Sequence, residues 1–206
     1  MTILASSLGI TRYRVVEEVP DELVRDIPAL LKKNAFVDID ATAEERSFGW
    51  VNGDDMLDAA WTVSPPEKGP YYSFALRLDT RRVQPAVLKK HVTLAMNAEL
   101  AKVKEQGGKR ISRDRKTEIK EQTMLRLRAR SLPIPAVFPV TWNPSANRVY
   151  LYTTNAKVRA LLEDCFQMTF ELRLEPLAPF WFAQEILGED AALTLENLEP
   201  TVFIQP

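Results

Sequence analysis

The chain has 206 residues, 46% hydrophobic and 27% charged, with a formal net charge of −1, a composition that fits one large or two small globular domains and excludes a disordered or collagen-like chain. A chain of this length buries enough surface to fold without disulfides or metals, and its one cysteine, Cys165, excludes an internal disulfide and fits a reducing compartment. The opening residues, MTILASSLGITRYRVV, lack the basic stretch and long apolar run of a secretory leader, and no segment approaches the roughly 18 apolar residues of a membrane span, so a soluble cytoplasmic protein with no membrane partner is expected.

Gly9 to Val19, rich in β-branched and aromatic residues, reads as a strand. Pro20, followed by Asp21 and Glu22, reads as a helix start, with Leu23, Ile27, Leu30 and Leu31 as its apolar stripe. Pro28 falls inside this run, where it either kinks the helix or displaces its start. Ser47 to Val51 is a short apolar strand and Asn52-Gly53 marks a turn. DMLDAAWTV fits either helix or strand, and PPEKGP, Pro65 to Pro70, reads as a loop. Tyr71 to Val83 alternates at Phe74, Leu76 and Leu78 and reads as a strand.

Pro85 opens a long helix at its favoured first position. Two rows, Val87-His91-Leu94-Ala98-Ala101 and Leu88-Val92-Ala95, give it a broad apolar face. Gly107-Gly108 ends it, and Ser112 is the N-cap of a second helix, Arg113 to Arg130. Three prolines in LPIPAVFPV, Leu132 to Val140, predict an extended segment or an edge strand. TWNPSANRVYLYTT reads as strand, turn, strand. Asn155 caps a helix to about Gln167 with Val158, Leu161, Leu162 and Phe166 inside, and MTFELRLEPL reads as a strand. The tail suggests a helix near Phe182 to Leu187 and a last strand near Val202.

This order is not the regular alternation of a doubly wound sheet. The expectation is an α+β fold, with antiparallel-rich sheets, packed helices and a protruding basic helical hairpin. Its parts are residues 1–83, 84–131 (the hairpin) and 132–206, or one continuous domain.

Charge is unevenly placed. Residues 77–130 hold 16 Lys/Arg against 6 Asp/Glu, a net of +10, whereas residues 1–76 carry −6 and residues 131–206 carry −5. Such asymmetry suggests a polyanion-binding surface; the alternative is that the acidic parts fold back on the basic one. On the second hairpin helix, Lys116, Lys120, Thr123, Leu127 and Arg130 share a side, with Arg113 and Arg126 nearby. Asp114, Glu118, Glu121 and Leu125 lie opposite. A basic side binds phosphates without reading bases, and no helix-turn-helix, zinc-finger or aromatic RNA-binding pattern is present to read sequence.

Catalytic signals are weak, and no cofactor or metal is expected. One His and one Cys exclude a His/Cys zinc cluster within the chain. His91 lies on the apolar row of its helix, as a half-buried structural histidine would, and Cys165 beside Phe166 reads as a small buried hydrophobe. No phosphate-binding GxxxxGK[ST] or GxGxxG loop occurs. The acidic pairs Asp38/Asp40, Asp54/Asp55 and Glu163/Asp164 could hold magnesium in a nuclease, but they fall in no nuclease pattern. Three functions therefore stand: DNA binder, metal-dependent nuclease, and self-assembling module whose basic hairpin meets an acidic partner.

The chain resembles the RdgC family of bacterial recombination-associated proteins over roughly residues 8–180. The order and spacing of several segments carry the likeness: the strand at Tyr13 to Val16 and its helix, Ala35-Phe36 with Gly49-Trp50-Val51, FALRLDTRRVQPAVLKK, the Lys/Glu-rich hairpin, LPIPAVF, WNPSANRVYLYTTNAK and LEPLAP. The resemblance implies a dimer that closes a ring around double-stranded DNA, binds without sequence preference, is nucleoid-associated and hinders RecA-type recombinase filaments. It places positive charge in the hole, with Arg77, Arg81, Arg82, Lys89, Lys90, Lys102, Lys104, Lys109, Arg110, Arg113, Arg115, Lys116 and Lys120 as candidates, and an apolar dimer contact at Phe138 in LPIPAVF. Family members continue well past the LEPLAP stretch, into a part that forms one of the ring's two closing contacts. A closed ring, an open clamp, another oligomer and a shortened phage or mobile-element relative all remain open on this reading.

Overall fold

Residues 7–42, 44–188 and 192–199 are described by a computed structural model. In chain order the elements are β1 (Thr11–Val15), α1 (Asp21–Lys33), β2 (Arg46–Asn52), β3 (Glu67–Lys68), β4 (Tyr71–Thr80), α2 (Pro85–Glu105), α3 (Arg113–Arg130), β5 (Ile134–Asn143), β6 (Arg148–Leu151), α4 (Ala156–Phe170), β7 (Leu174–Pro176), α5 (Pro179–Leu187) and α6 (Ala192–Glu196). The fold is α+β, with an antiparallel seven-stranded sheet in the order β2-β4-β5-β6-β1-β7 and β3 on β4. The chain divides into two compact units, one comprising the residues up to Leu30, Pro66–Ser73 and the chain from Pro139, the other Leu31–Pro65 and Phe74–Phe138.

In the first unit, β1 pairs antiparallel on both sides: Tyr13 lies opposite Val149 of β6 and Pro176 of β7. The α4 helix starts as its sequence dictates, with Asn155 Oδ1 accepting from Lys157 N at 3.0 Å. It ends at Glu171 in the left-handed region, φ 59°. Its inner face buries Val158, Leu161, Leu162, Cys165, Phe166 and Phe170. Trp142 of β5 meets Phe166 and Phe170 there, each with ring centroids 5.0 Å away. The α1 helix continues through Pro28. A proline at this position has no N–H for the carbonyl of Val24 four residues back, and Tyr72 Oη donates to that carbonyl at 3.0 Å.

The second unit is built on β2 against β4, in register from Arg46↔Thr80 to Asn52↔Phe74. Residues 34–36 run along β2: Phe36 N donates to Trp50 O at 2.9 Å and Trp50 N to Asn34 O at 3.2 Å, a parallel bridge at Ala35↔Trp50. This close approach needs Gly49, where an added Cβ would lie 2.6 Å from Phe36 Cα and N. Phe36, Val51 and Ala75 form a buried cluster with Ala59 and Val137 packed on it.

The loop after β2 is organised by one carboxylate. Asp58 Oδ1 accepts from Ala60 N, Thr62 N and Thr62 Oγ1, and Oδ2 accepts from Val63 N and Asn52 Nδ2, at 2.9–3.2 Å. Donors from Val63 and then Thr62 pull the carboxyl down to about 2.

Several expectations are corrected. DMLDAAWTV is neither helix nor strand but this carboxylate-centred loop. PPEKGP contains the two-residue strand β3, which reverses at Gly69 with φ 65°. Met168–Phe170 extend α4, so only Leu174–Pro176 of MTFELRLEPL is strand. The proline-bearing segment is not an edge: β5 sits between β4 and β6. Its ladder with β6 begins at Val140, past the last proline, and Pro139 only accepts, from Tyr152 N. The broad apolar face of α2 buries no residue fully. The strand expected near Val202 lies outside the described residues.

Candidate nucleic-acid interface

The basic hairpin forms between the predicted boundaries. Pro85 is the first residue of α2, and its N-cap Gln84 makes no side-chain capping bond. At the far end Gly107 takes φ 77° and Gly108 N donates to Val103 O at 2.8 Å, a glycine-terminated helix end of the kind no β-carbon favours. Ser112 Oγ accepts from Arg115 N at 3.2 Å and starts α3. Ile119 and Thr123 are the buried residues of α3, and Ile111 is buried just before it. The helices are also pinned by charge. Arg115 Nε meets Glu99 Oε1 of α2 at 2.7 Å, and its Nη1 meets Glu118 Oε2 at 2.8 Å. This partnership holds the Glu99 carboxyl below the usual range and the Arg115 guanidinium above it.

The thirteen candidate cations separate into two groups. Arg82, Lys89, Lys90, Lys102, Lys104, Lys109, Arg110, Arg113, Lys116 and Lys120 are exposed and form no salt bridge among the described residues. Six of them, Lys102, Lys104, Lys109, Arg110, Arg113 and Lys116, are concentrated at the turn: the last turn of α2, the connection and the first turn of α3. Arg113, Lys116 and Lys120 lie at i, i+3 and i+7 and share a flank of α3. A helix N-terminus already carries partial positive charge; Asp114 in the first turn of α3 offsets part of it, and Arg113 and Lys116 add two positive charges there.

The other three are buried or already bonded within the protein. Arg77 is 8% exposed, and its Nε and Nη2 bind Asp79 at 2.8 and 2.7 Å while its guanidinium lies over the Phe36 ring. Arg81 is 3% exposed and donates to the carbonyls of Ile39, Asp40, Arg128 and Ser131. Arg115 is the pin described above. Burial and pairing remove Arg77 and Arg81 from any solvent-facing set. The signal for Arg77 was in the sequence: residues 77 and 79 of β4 share a face, so an Asp at 79 marks an internal pair. Phe138, the expected oligomer contact, is half-buried on β5, while Leu132 and Ile134 before it are exposed.

Two of the acidic pairs, Asp38/Asp40 and Asp54/Asp55, lie in loops and bond locally, while Glu163/Asp164 lies on α4. Asp38 Oδ1 accepts from Asp40 N, Asp54 Oδ2 from Ser64 Oγ and Asp55 Oδ1 from Leu57 N. Among the described residues no group of three or more His, Cys, Asp or Glu is placed to hold a metal ion, and no helix is long and apolar enough to cross a membrane. His91 is half-buried and Cys165 buried. No protein-family model matches the chain, and no curated protein matches it.

Proposed function

We propose that this protein binds double-stranded DNA through the phosphate backbone, without reading base sequence, and that the α2–α3 hairpin is the contacting element. The observation that carries this reading is the set of ten exposed cations that form no salt bridge among the described residues, in a segment of net charge +10. Of the acidic residues of the hairpin, Glu99 and Glu118 are engaged by Arg115, and among the described residues no lysine of the hairpin forms a salt bridge. The RdgC-like reading gives this binding its setting: a cytoplasmic, nucleoid-associated homodimer that encircles or clamps duplex DNA and limits access of a RecA-type recombinase. Fluorescence anisotropy with duplexes of unrelated sequence tests it. Contact with about five phosphates gives a slope of log K against log salt of about −4.5, a loss of roughly 500-fold between 50 and 200 mM salt, alike for every sequence. Absence of binding to any duplex at low salt refutes it.

A second reading, self-assembly, is favoured by the uncovered α2 face, where Val87 and Leu94 are exposed. Light scattering across salt concentrations separates the two: a monomer at every salt concentration that still binds DNA removes self-assembly, and the dimeric clamp with it, and leaves phosphate-backbone binding alone.

A further inference from the structure

At the foot of the hairpin, a cleft of about 360 Å³ is lined by Glu45, Arg81, Arg82, Gln84, Pro85 and Arg128, among others. Three guanidinium groups meet one carboxylate there. Glu45 Oε2 is taken by Arg128 Nη2 at 2.9 Å, so that pair is neutral and two positive charges remain.

Arg81 is the more unusual of the two. Its four bonds go to backbone carbonyls, of Arg128, Ser131, Ile39 and Asp40, and its buried Nε has no acceptor. A buried guanidinium with no anionic partner is costly, because desolvation of its charge is offset only by dipoles. The carbonyls near the C-terminus of α3 supply part of that compensation. Arg82 beside it is exposed and forms no salt bridge among the described residues. The cleft also reaches the start of α2, where Gln84 gives no side-chain cap and no acidic residue occupies the first turn, leaving the positive end of a 21-residue helix unanswered.

We infer that this cleft is a phosphate subsite, with Arg82 as the entering group's first contact, Arg81 as a fixed buried charge and the start of α2 as the complementary dipole. The planar donor fork of arginine suits a phosphate's oxygens better than a lysine would. The site deepens the reading of the hairpin as a DNA-contacting element and rests on it for the carrier of the phosphate, either a backbone phosphodiester or a free phosphate compound.

The test follows the arginine Nε–Hε resonances of the ¹⁵N-labelled full chain during titration with inorganic phosphate, with chloride at matched ionic strength as control, and separately with a short blunt duplex. The expected result is a saturable shift of the Arg81 and Arg82 signals that chloride does not reproduce. Exposed Arg82→Ala should weaken it about tenfold, the value of one charge-assisted hydrogen bond. Lys157→Ala, an exposed lysine of α4, should leave phosphate affinity unchanged. A shift with the duplex but not with phosphate identifies the DNA backbone as the carrier. A phosphate shift in a chain that binds no DNA retains the subsite, makes a free phosphate compound its ligand and refutes the DNA reading alone. No saturable shift with either probe, or one indifferent to Arg82→Ala, overturns the subsite even where DNA binding persists.

Discussion

The hydroxyl of Tyr72 donates to the carbonyl of Val24 at 3.0 Å, and that carbonyl is the one Pro28 leaves without a helical donor. One side chain from β4 thus repairs a defect that a proline creates in α1. Tyr72→Phe should cost about 1 kcal/mol in urea unfolding. In a Pro28→Ala background, which restores the backbone N–H, the same change should cost markedly less. Strictly additive effects would show that the two are not coupled.

Gly49→Ala should destabilise by about 1–3 kcal/mol, the range for forcing an extra carbon into a packed site. The clash is with the backbone of Phe36 rather than with a side chain able to rotate away, so the variant should disturb the Ala35↔Trp50 bridge first. Amide exchange at Phe36 and Trp50 reads this directly, and unchanged protection there argues against the mechanism.

Asp58 sets an acid limit. Its carboxyl titrates at about 2 in the fold, against about 3.9 in an unfolded chain. A carboxyl depressed by folding contributes its full stabilisation above the unfolded value and loses it as pH falls through the folded one. Stability should therefore decline from about pH 4 towards pH 2, with the loop after β2 loosening. Glu17, lowered by its bonds to Arg173, and Glu99, lowered by Arg115, add to the decline. Asp58→Asn should be less stable at neutral pH and show a shallower acid dependence; an unchanged slope would assign the decline to the other carboxyls.

Exposed and paired cations of the hairpin should behave differently. Lys116→Ala should reduce the salt slope of DNA binding by about 0.9, one phosphate's worth, and weaken all duplexes alike. Arg115→Ala should lower the thermal midpoint of the fold by releasing Glu99 from α3, and change the slope much less. Equal slope changes in both variants would mean that Arg115 leaves its carboxylates to reach DNA.

The hairpin was legible because its signals are local: Pro85, Gly107 and Ser112 act on the residues beside them, and each does what its chemistry predicts. The same holds for Asn155 and the inner face of α4. Burial was harder to read. The α2 periodicity identifies which apolar residues share a face, but not whether another element covers them, and Val87 and Leu94 are exposed. Arg81 looked like one cation among many because its carbonyl partners lie about 40 to 50 residues away in sequence. The role of Asp58 was hidden similarly, since its donors are mostly backbone N–H groups, which every residue but proline carries.

The pairing of β1 bears on how the chain is made. Both of its neighbours come late: Thr11 waits for Leu151, and Tyr13 also for Pro176. During synthesis the second unit is complete once Phe138 has emerged, while β1, made earlier, still shows two open edges. Such edges invite pairing with other nascent chains. The alternating basic residues Arg12 and Arg14 on this strand are the kind of charge that discourages it, a safeguard needed only until β6 and β7 arrive.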